Sequence, residues 1–176
     1  MALTTYVSGE ILTAASLNDN FTFAAANPTA PATAIFNETQ SAATAGGASV
    51  TGSFIKRTLN TTIINEITSA TLTSSVISLP AGTYLVNASA PFYESNEIKI
   101  ILRNTTDSAD TILGQSQYAT TNGTATLNGQ FTIAGTKNFE VQYRCSSARA
   151  TIGIGVNAAT FGVSNVYTTI QIQKVA

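Results

Sequence analysis

The sequence contains no His and no Trp, one Cys (Cys145), and only 10% charged residues among its 176. Each shortage excludes some chemistry. Without His there is no Ser-His-Asp or Cys-His catalysis and no His-ligated zinc. A single Cys allows neither an intrachain disulfide nor a thiolate cluster. Soluble domains usually carry about 25% charged residues. Hydroxyls and amides therefore cover this surface instead, drawn from 29 Thr and 14 Asn alongside 26 Ala. Eight Lys and Arg against nine Asp and Glu leave a net charge of -1, which gives no basic field for nucleic acid. No apolar run approaches the roughly 20 residues of a membrane-spanning helix. The opening stretch MALTTYVSGEILTAASL has no basic region of the kind that begins a secretory signal. The expectation is a protein made in a cytoplasm, not inserted in a membrane, with its thiol reduced.

The charge that exists is unevenly placed. The first cation is Lys56, and only Glu10, Asp19 and Glu38 carry charge before it. Composition shifts in the same region. The chain divides into an N-terminal arm over 1–27, an Ala/Thr/Pro/Gly linker over 28–50, and a body over 51–176. The arm holds one helix, with Thr13 placed to cap it and Ala14 and Ala15 opening its first turn. Leu12, Leu17 and Phe21 recur at the spacing of one helical face, and Asn27-Pro28 ends it. A helix of about 14 residues is marginal alone in water, so its apolar stripe needs something to pack on. The linker reads as flexible by composition. Ile35 and Phe36, in the strand-like stretch TAIFNET, are an apolar island able to anchor it to a neighbour.

The body reads as strands throughout. A turn at Pro80-Ala81-Gly82 joins two alternating runs. Beyond it, Tyr84, Val86, Ala88 and Ala90 share a face. So do Ile98, Ile100 and Leu102; Leu127, Gly129, Phe131 and Ile133; Phe139, Val141, Tyr143 and Cys145; and Ile170 and Ile172. The stretch TIGIGVNAATFGV reads as a strand carrying three glycines. About eight short strands without helical periodicity predict an all-β, antiparallel jelly-roll sandwich preceded by a short helical or extended arm. The many Thr residues suit strands and give an uncharged outer face.

Several body motifs occur in a familiar order: LPAGTYLVNASAPFY, IKIILRNTTDSADTILGQSQY, LNGQFTIAGTKNFEVQYRC and GIGVNAATFGVSNVYTTIQIQKV. Preceded by RTLNTTIINEI, this series resembles the trimeric jelly-roll knobs of tailed-bacteriophage structural proteins. Those knobs are similar to the complement globular-head and tumour-necrosis-factor-like (TNF-like) fold. The resemblance covers about 120 residues. YVSGEILTAASLNDNF resembles a short leader, near Gly-Glu-x-Leu-Thr-Ala-x-x-Leu-Asn, that opens many phage tail and neck-appendage proteins. It implies an anchoring arm carried by Tyr6, Gly9, Glu10, Leu12, Leu17, Asn18 and Phe21. No collagen-like or coiled-coil stalk separates leader and knob, unlike in a long fibre.

The resemblance implies a homotrimer, and the residues supply a basis for one. A surface with few charges is cheaply desolvated on association. Glycine within a strand often marks the close approach of another backbone. Ile152, Ile154, Phe161 and Val163, set among glycines, are the candidate trimer interface. The alternative is that Ile152 and Ile154 are ordinary core and the glycines bulges.

Other constellations carry little chemistry. Asp107/Asp110 and Glu94/Glu97 have the form of a carboxylate dyad or an oxygen-ligand calcium site. They fall in loops, where solvated acids are ordinary. Cys145 sits at an inward position as a small apolar side chain. Sequons at Asn20, Asn37, Asn60, Asn87, Asn104 and Asn122 arise readily in a chain rich in Asn and Thr. Tyr118, Tyr143 and Tyr167 could stack on a glycan, though periodicity puts Tyr143 in the core. No enzyme activity, metal, cofactor or nucleic-acid partner is expected. The favoured reading is a virion protein: a homotrimeric tail or neck fibre whose arm anchors to other virion proteins and whose knob meets a host receptor or glycan. The alternative is a capsid decoration or cement protein that stabilises the head by contacting the major capsid protein.

Overall fold

The computed structural model describes Ser8, Ile11, residues 13–15 and residues 30–175. The chain divides into two compact units, Met1–Pro31 and Ala32–Ala176. In the first unit Ala14 and Ala15 are helical. The arm residues Tyr6, Gly9, Glu10, Leu12, Leu17, Asn18 and Phe21 lie outside the described residues.

The second unit is built from twelve strands. They are β1 (Ala32–Gln40), β2 (Ile55–Lys56), β3 (Thr61–Asn65), β4 (Thr71–Thr73), β5 (Val76–Leu79) and β6 (Gly82–Tyr93), followed by β7 (Asn96–Asn104), β8 (Ala109–Leu113), β9 (Gln117–Ala119), β10 (Asn122–Ile133), β11 (Lys137–Cys145) and β12 (Asn165–Lys174). One sheet runs β10-β6-β12-β1-β3. The other runs β4-β5-β11-β7-β8, with β2 joined to β11 and β9 to β7. Every pairing between these strands is antiparallel. This is the jelly-roll sandwich that the alternating pattern predicts.

The alternation places the core. β6 turns Tyr84, Val86, Ala88, Ala90 and Phe92 inward, and β11 turns Phe139, Val141, Tyr143 and Cys145 inward from the opposite sheet. Aromatic rings interleave between the layers. Phe131 lies 5.0 Å from Phe139 and 5.5 Å from Tyr84, and Phe92 meets Tyr143 edge-on at 5.6 Å. Tilted and edge-on contacts suit the ring quadrupoles and add to the area that each ring buries. At the Pro80-Ala81-Gly82 turn the chain leaves one sheet for the other. The Tyr84 hydroxyl donates to the Pro80 carbonyl at 2.6 Å and fixes that corner.

Two expectations need correction. The first concerns residues 28–50, read as a flexible linker. Ala32–Gln40 is instead a strand lying between β12 and β3, with Ala34, Phe36 and Glu38 fully buried. The knob therefore begins at Ala32 and not at Thr51. Small Ala and Thr side chains look featureless in sequence, yet they sit readily in a ladder once β12 supplies its partners. Residues 41–50 are also tied down. The Asn165 amide donates to the carbonyls of Ser41 and Ala42 at 3.0 and 2.9 Å, and the Tyr167 hydroxyl donates to Thr44 at 2.8 Å.

The second correction concerns TIGIGVNAATFGV, which forms a loop with a 3-10 turn at Ala159–Phe161 and no strand. Gly153 and Gly155 mark close approach, but the approaching atoms belong to the same chain. A Cβ on Gly153 would collide with Ser49 and stand 2.7 Å from the Arg149 carbonyl oxygen. Gly155, at φ +145°, lies against the Tyr167 ring. Gly155→Ala should therefore lower stability by about 1–3 kcal/mol from backbone strain alone. Urea denaturation should show a lower midpoint, whereas Gly135→Ala, where no atom lies within 4 Å of the added Cβ, should change little.

Candidate interaction surfaces

The loop after β11 is held by a buried ion pair absent from any sequence motif. Arg57 and Glu38 are each 0% exposed. Arg57 Nη2 donates to Glu38 Oε2 at 3.1 Å and to the Ile154 carbonyl at 2.9 Å, while its Nε donates to Thr168 Oγ1 at 2.7 Å. Thr168 in turn donates to Glu38 at 3.0 Å. Thr168 reaches inward because the β1–β12 register shifts between Asn37 and Thr39, with one extra residue in β12. The guanidinium also lies over the rings of Phe92 and Tyr143, at 5.6 and 5.7 Å. The satisfaction is incomplete, since Glu38 Oε1 and Arg57 Nη1 have no partner. Burial pushes the Glu38 carboxyl above its ordinary range despite Arg57, and burial draws the Arg57 guanidinium down despite Glu38. The cluster joins β1, β12 and the loop at Ile154 through one side chain.

That anchoring divides the four residues expected at a trimer contact. Ile154 is only 9% exposed and belongs to the hydrophobic core, so it is not available to a neighbour. Ile152 is half-buried. Phe161 and Val163 are 75% and 63% exposed. Val156 is exposed on the same loop, and Val166 is exposed where β12 begins. The loop is closed by the Asn165 carboxamide, whose oxygen accepts from the Ala158 amide at 2.9 Å. It thus presents apolar side chains on a tethered backbone.

A second surface is more regular. On the outer side of the five-stranded sheet, the register aligns three rows of side chains. One runs Asn128, Asn87, Gln171, Ile35 and Ile64; the next runs Gln130, Leu85, Gln173 and Thr33; the third runs Thr126, Ser89, Thr169, Asn37 and Thr61. Charge enters these rows only at the β3 end of the second, where the exposed Glu66 lies opposite Thr33 and its carboxylate accepts from the Thr33 amide at 3.1 Å. A shallow depression of about 440 Å³ lies over Leu85, Asn87, Asn128, Gln130 and Gln171. Where identical copies meet around an axis, any charge near it faces its own copies. A face of amides, hydroxyls and scattered aliphatics avoids that repulsion and loses little on desolvation.

Three of the four acids considered in the sequence, Asp107, Asp110 and Glu94, form surface ion pairs. Asp107 accepts from Lys137 at 2.7 Å and from the Asn104 amide at 2.9 Å, and its carboxyl is held below the usual range by Lys137 first. Asp110 pairs with Arg103, and Glu94 with Arg149 at 3.1 Å. The described residues hold no cluster of three or more metal-ligating side chains. No described helix is long and apolar enough to cross a membrane. Cys145 is buried, with its thiol donating to the carbonyls of Val50 and Ser147, and burial pushes it up. Among the three tyrosines considered for glycan stacking, Tyr118 is exposed while Tyr143 and Tyr167 are buried.

A groove lies elsewhere, on the seven-stranded sheet. This groove of about 590 Å³ is lined by Glu97, Lys99 and Arg144 together with Phe54 and Ser116. Lys99 and Arg144 are directly opposed across β7 and β11. Sequence reasoning missed this pair, because residues 45 positions apart meet only through the strand register. The strand pattern IKI beside YRC did mark both as outward-facing, which was the one available signal.

No family model matches this sequence, and no curated protein matches it. Solved structures do resemble the fold. The TNF protein Eiger from S. frugiperda is 16% identical over 84% of this chain and 94% of its own, with a TM-score of 0.57. Murine APRIL at pH 5.0 is 8% identical over 82% of this chain and 99% of its own, with a TM-score of 0.53. At such identities the likeness establishes the fold, a TNF-like jelly roll.

Proposed function

We propose that this TNF-like jelly roll is a homotrimeric, non-enzymatic structural protein of a tailed-phage virion. In this reading it is a tail or neck fibre, made in the host bacterial cytoplasm. The arm over 1–27 anchors it to other virion proteins, and the knob faces outward toward a host receptor. The observation that carries self-association is the charge-poor outer face of the β10-β6-β12-β1-β3 sheet, whose aligned rows meet a charge only in Glu66 at the β3 edge. The exposed Phe161 and Val163 extend the apolar surface offered to neighbours. The leader-like run Gly9, Glu10, Leu12, Thr13, Ala14, Leu17, Asn18 supports the virion role.

A second reading, capsid decoration, is favoured by one feature. The first core strand begins at Ala32, directly after the arm, and leaves no room for a stalk. Immunogold labelling of intact virions separates the two. Gold confined to the tail or neck is expected, and deletion of residues 1–27 should remove it from particles while leaving a folded, trimeric knob. Gold over the head would replace the fibre reading with decoration. A truncated chain that fails to fold would place the arm in the knob's own core.

A further inference from the structure

Five of the eight cations have carboxylate partners: Lys56 with Glu140, Arg57 with Glu38, Arg103 with Asp110, Lys137 with Asp107 and Arg149 with Glu94. Among the described residues, Lys99, Arg144 and Lys174 form no ion pair. Two of those three face each other. Lys99 and Arg144 occupy directly opposed positions on neighbouring antiparallel strands, and both line the groove of about 590 Å³. Opposed residues stand about 4.5–5.5 Å apart at Cβ, where like charges destabilise the sheet. A chain this sparing of charge thus sets two cations, without carboxylate partners among the described residues, side by side in one groove. An oxyanion between them relieves the repulsion and accepts charge-assisted hydrogen bonds from both.

The surroundings specify more than an anion. The half-buried Phe54 gives the groove an apolar wall, while Ser116 and Gln117 add hydroxyl and amide groups. The acid Glu97 shares the groove without an ion pair. It can accept hydrogen bonds from ligand hydroxyls, and it repels a second negative group. An apolar wall, neutral polar groups and one bipartite anion site match a sugar ring bearing a carboxylate. The volume lies within the roughly 300–1,000 Å³ typical of ligand pockets. We propose that this groove binds the carboxylate of an acidic saccharide, with Lys99 and Arg144 holding the anion and Glu97 limiting its charge. The groove lies on the other sheet from the charge-poor face, so a trimer formed through that face leaves it open. The proposal does not depend on the virion reading.

Calorimetric titration of the full chain at low salt tests it, with 3′-sialyllactose, a trisaccharide bearing a single carboxylate, as the probe and maltotriose and inorganic sulfate as controls. The sialyllactose should bind, and added salt should weaken it. The double substitution Lys99→Gln with Arg144→Gln should weaken binding by about tenfold or more, while the melting temperature stays level or rises as the like-charge contact is removed. Glu97→Gln should tighten binding by about threefold. Undiminished binding by the double variant would overturn the proposal. So would maltotriose binding as tightly, since no anion is then read. Sulfate binding as tightly would overturn it too, since the site then takes an oxyanion without its sugar.

Discussion

Arg57→Ala is expected to lower the unfolding free energy by about 3–5 kcal/mol, the range for removing one member of a buried ion pair. The loss is large because Glu38 and Thr168 stay behind, both fully buried and now facing a cavity. The Ile154 carbonyl loses its donor as well, so the loop carrying Phe161 and Val163 should loosen before the sheets do. Equilibrium urea unfolding measures the first effect, and amide exchange over residues 152–164 measures the second. A shift below about 1 kcal/mol would show that the cluster is dispensable. Replacing the pair together, Glu38→Leu with Arg57→Met, should recover most of the loss, because two apolar side chains leave no stranded charge.

The same cluster has a defined response to pH. The Glu38 carboxyl is raised in the folded protein, mainly by burial. Folding thus favours its neutral form. Its contribution to stability is fully present below the ordinary glutamate value of 4.5 and is lost as pH rises through the raised folded value. Gln at this position imitates the neutral form at every pH. The stability gap between wild type and Glu38→Gln should therefore move in favour of the variant as pH rises from 4.5 to 8. A gap that moves the other way would mean Arg57 outweighs burial at this site.

Leu85→Asp should dissociate the proposed trimer. Leu85 is half exposed on the outer side of β6, in the same row as Gln130 and Gln173. The substitution leaves the core untouched, so each subunit should keep its β-sheet signal. Association would then desolvate three new carboxylates, at several kcal/mol each. The trimer dissociation constant should rise by at least about a hundredfold, because each 1.4 kcal/mol is a factor of ten. Sedimentation equilibrium distinguishes the outcomes: a folded monomer is expected, with Lys99→Gln as a trimeric control. A variant still trimeric would move the interface to the loop bearing Phe161 and Val163.

By itself the sequence determined the class of fold and much of the core. Inward alternation such as Tyr84, Val86, Ala88 or Phe139, Val141, Tyr143 has only one way to face a sandwich interior, so period two was enough. The absence of His and the scarcity of charge were equally direct. Local pattern failed wherever a residue's role is set by a distant partner. Ala32–Gln40 looks like linker because its inward alternation, Ala34, Phe36 and Glu38, holds one large apolar residue and an acid; β12, more than a hundred positions later, makes it a strand. Glycines at 153 and 155 suggested an approaching backbone, and only the fold showed that it was the chain's own Ser49 and Tyr167. Arg57 became a core residue through Glu38 and Thr168, and Lys99 met Arg144, because strand register decided which charges were neutralised and which were left opposed. Composition set how few charges there were, and the tertiary structure chose where each one stands.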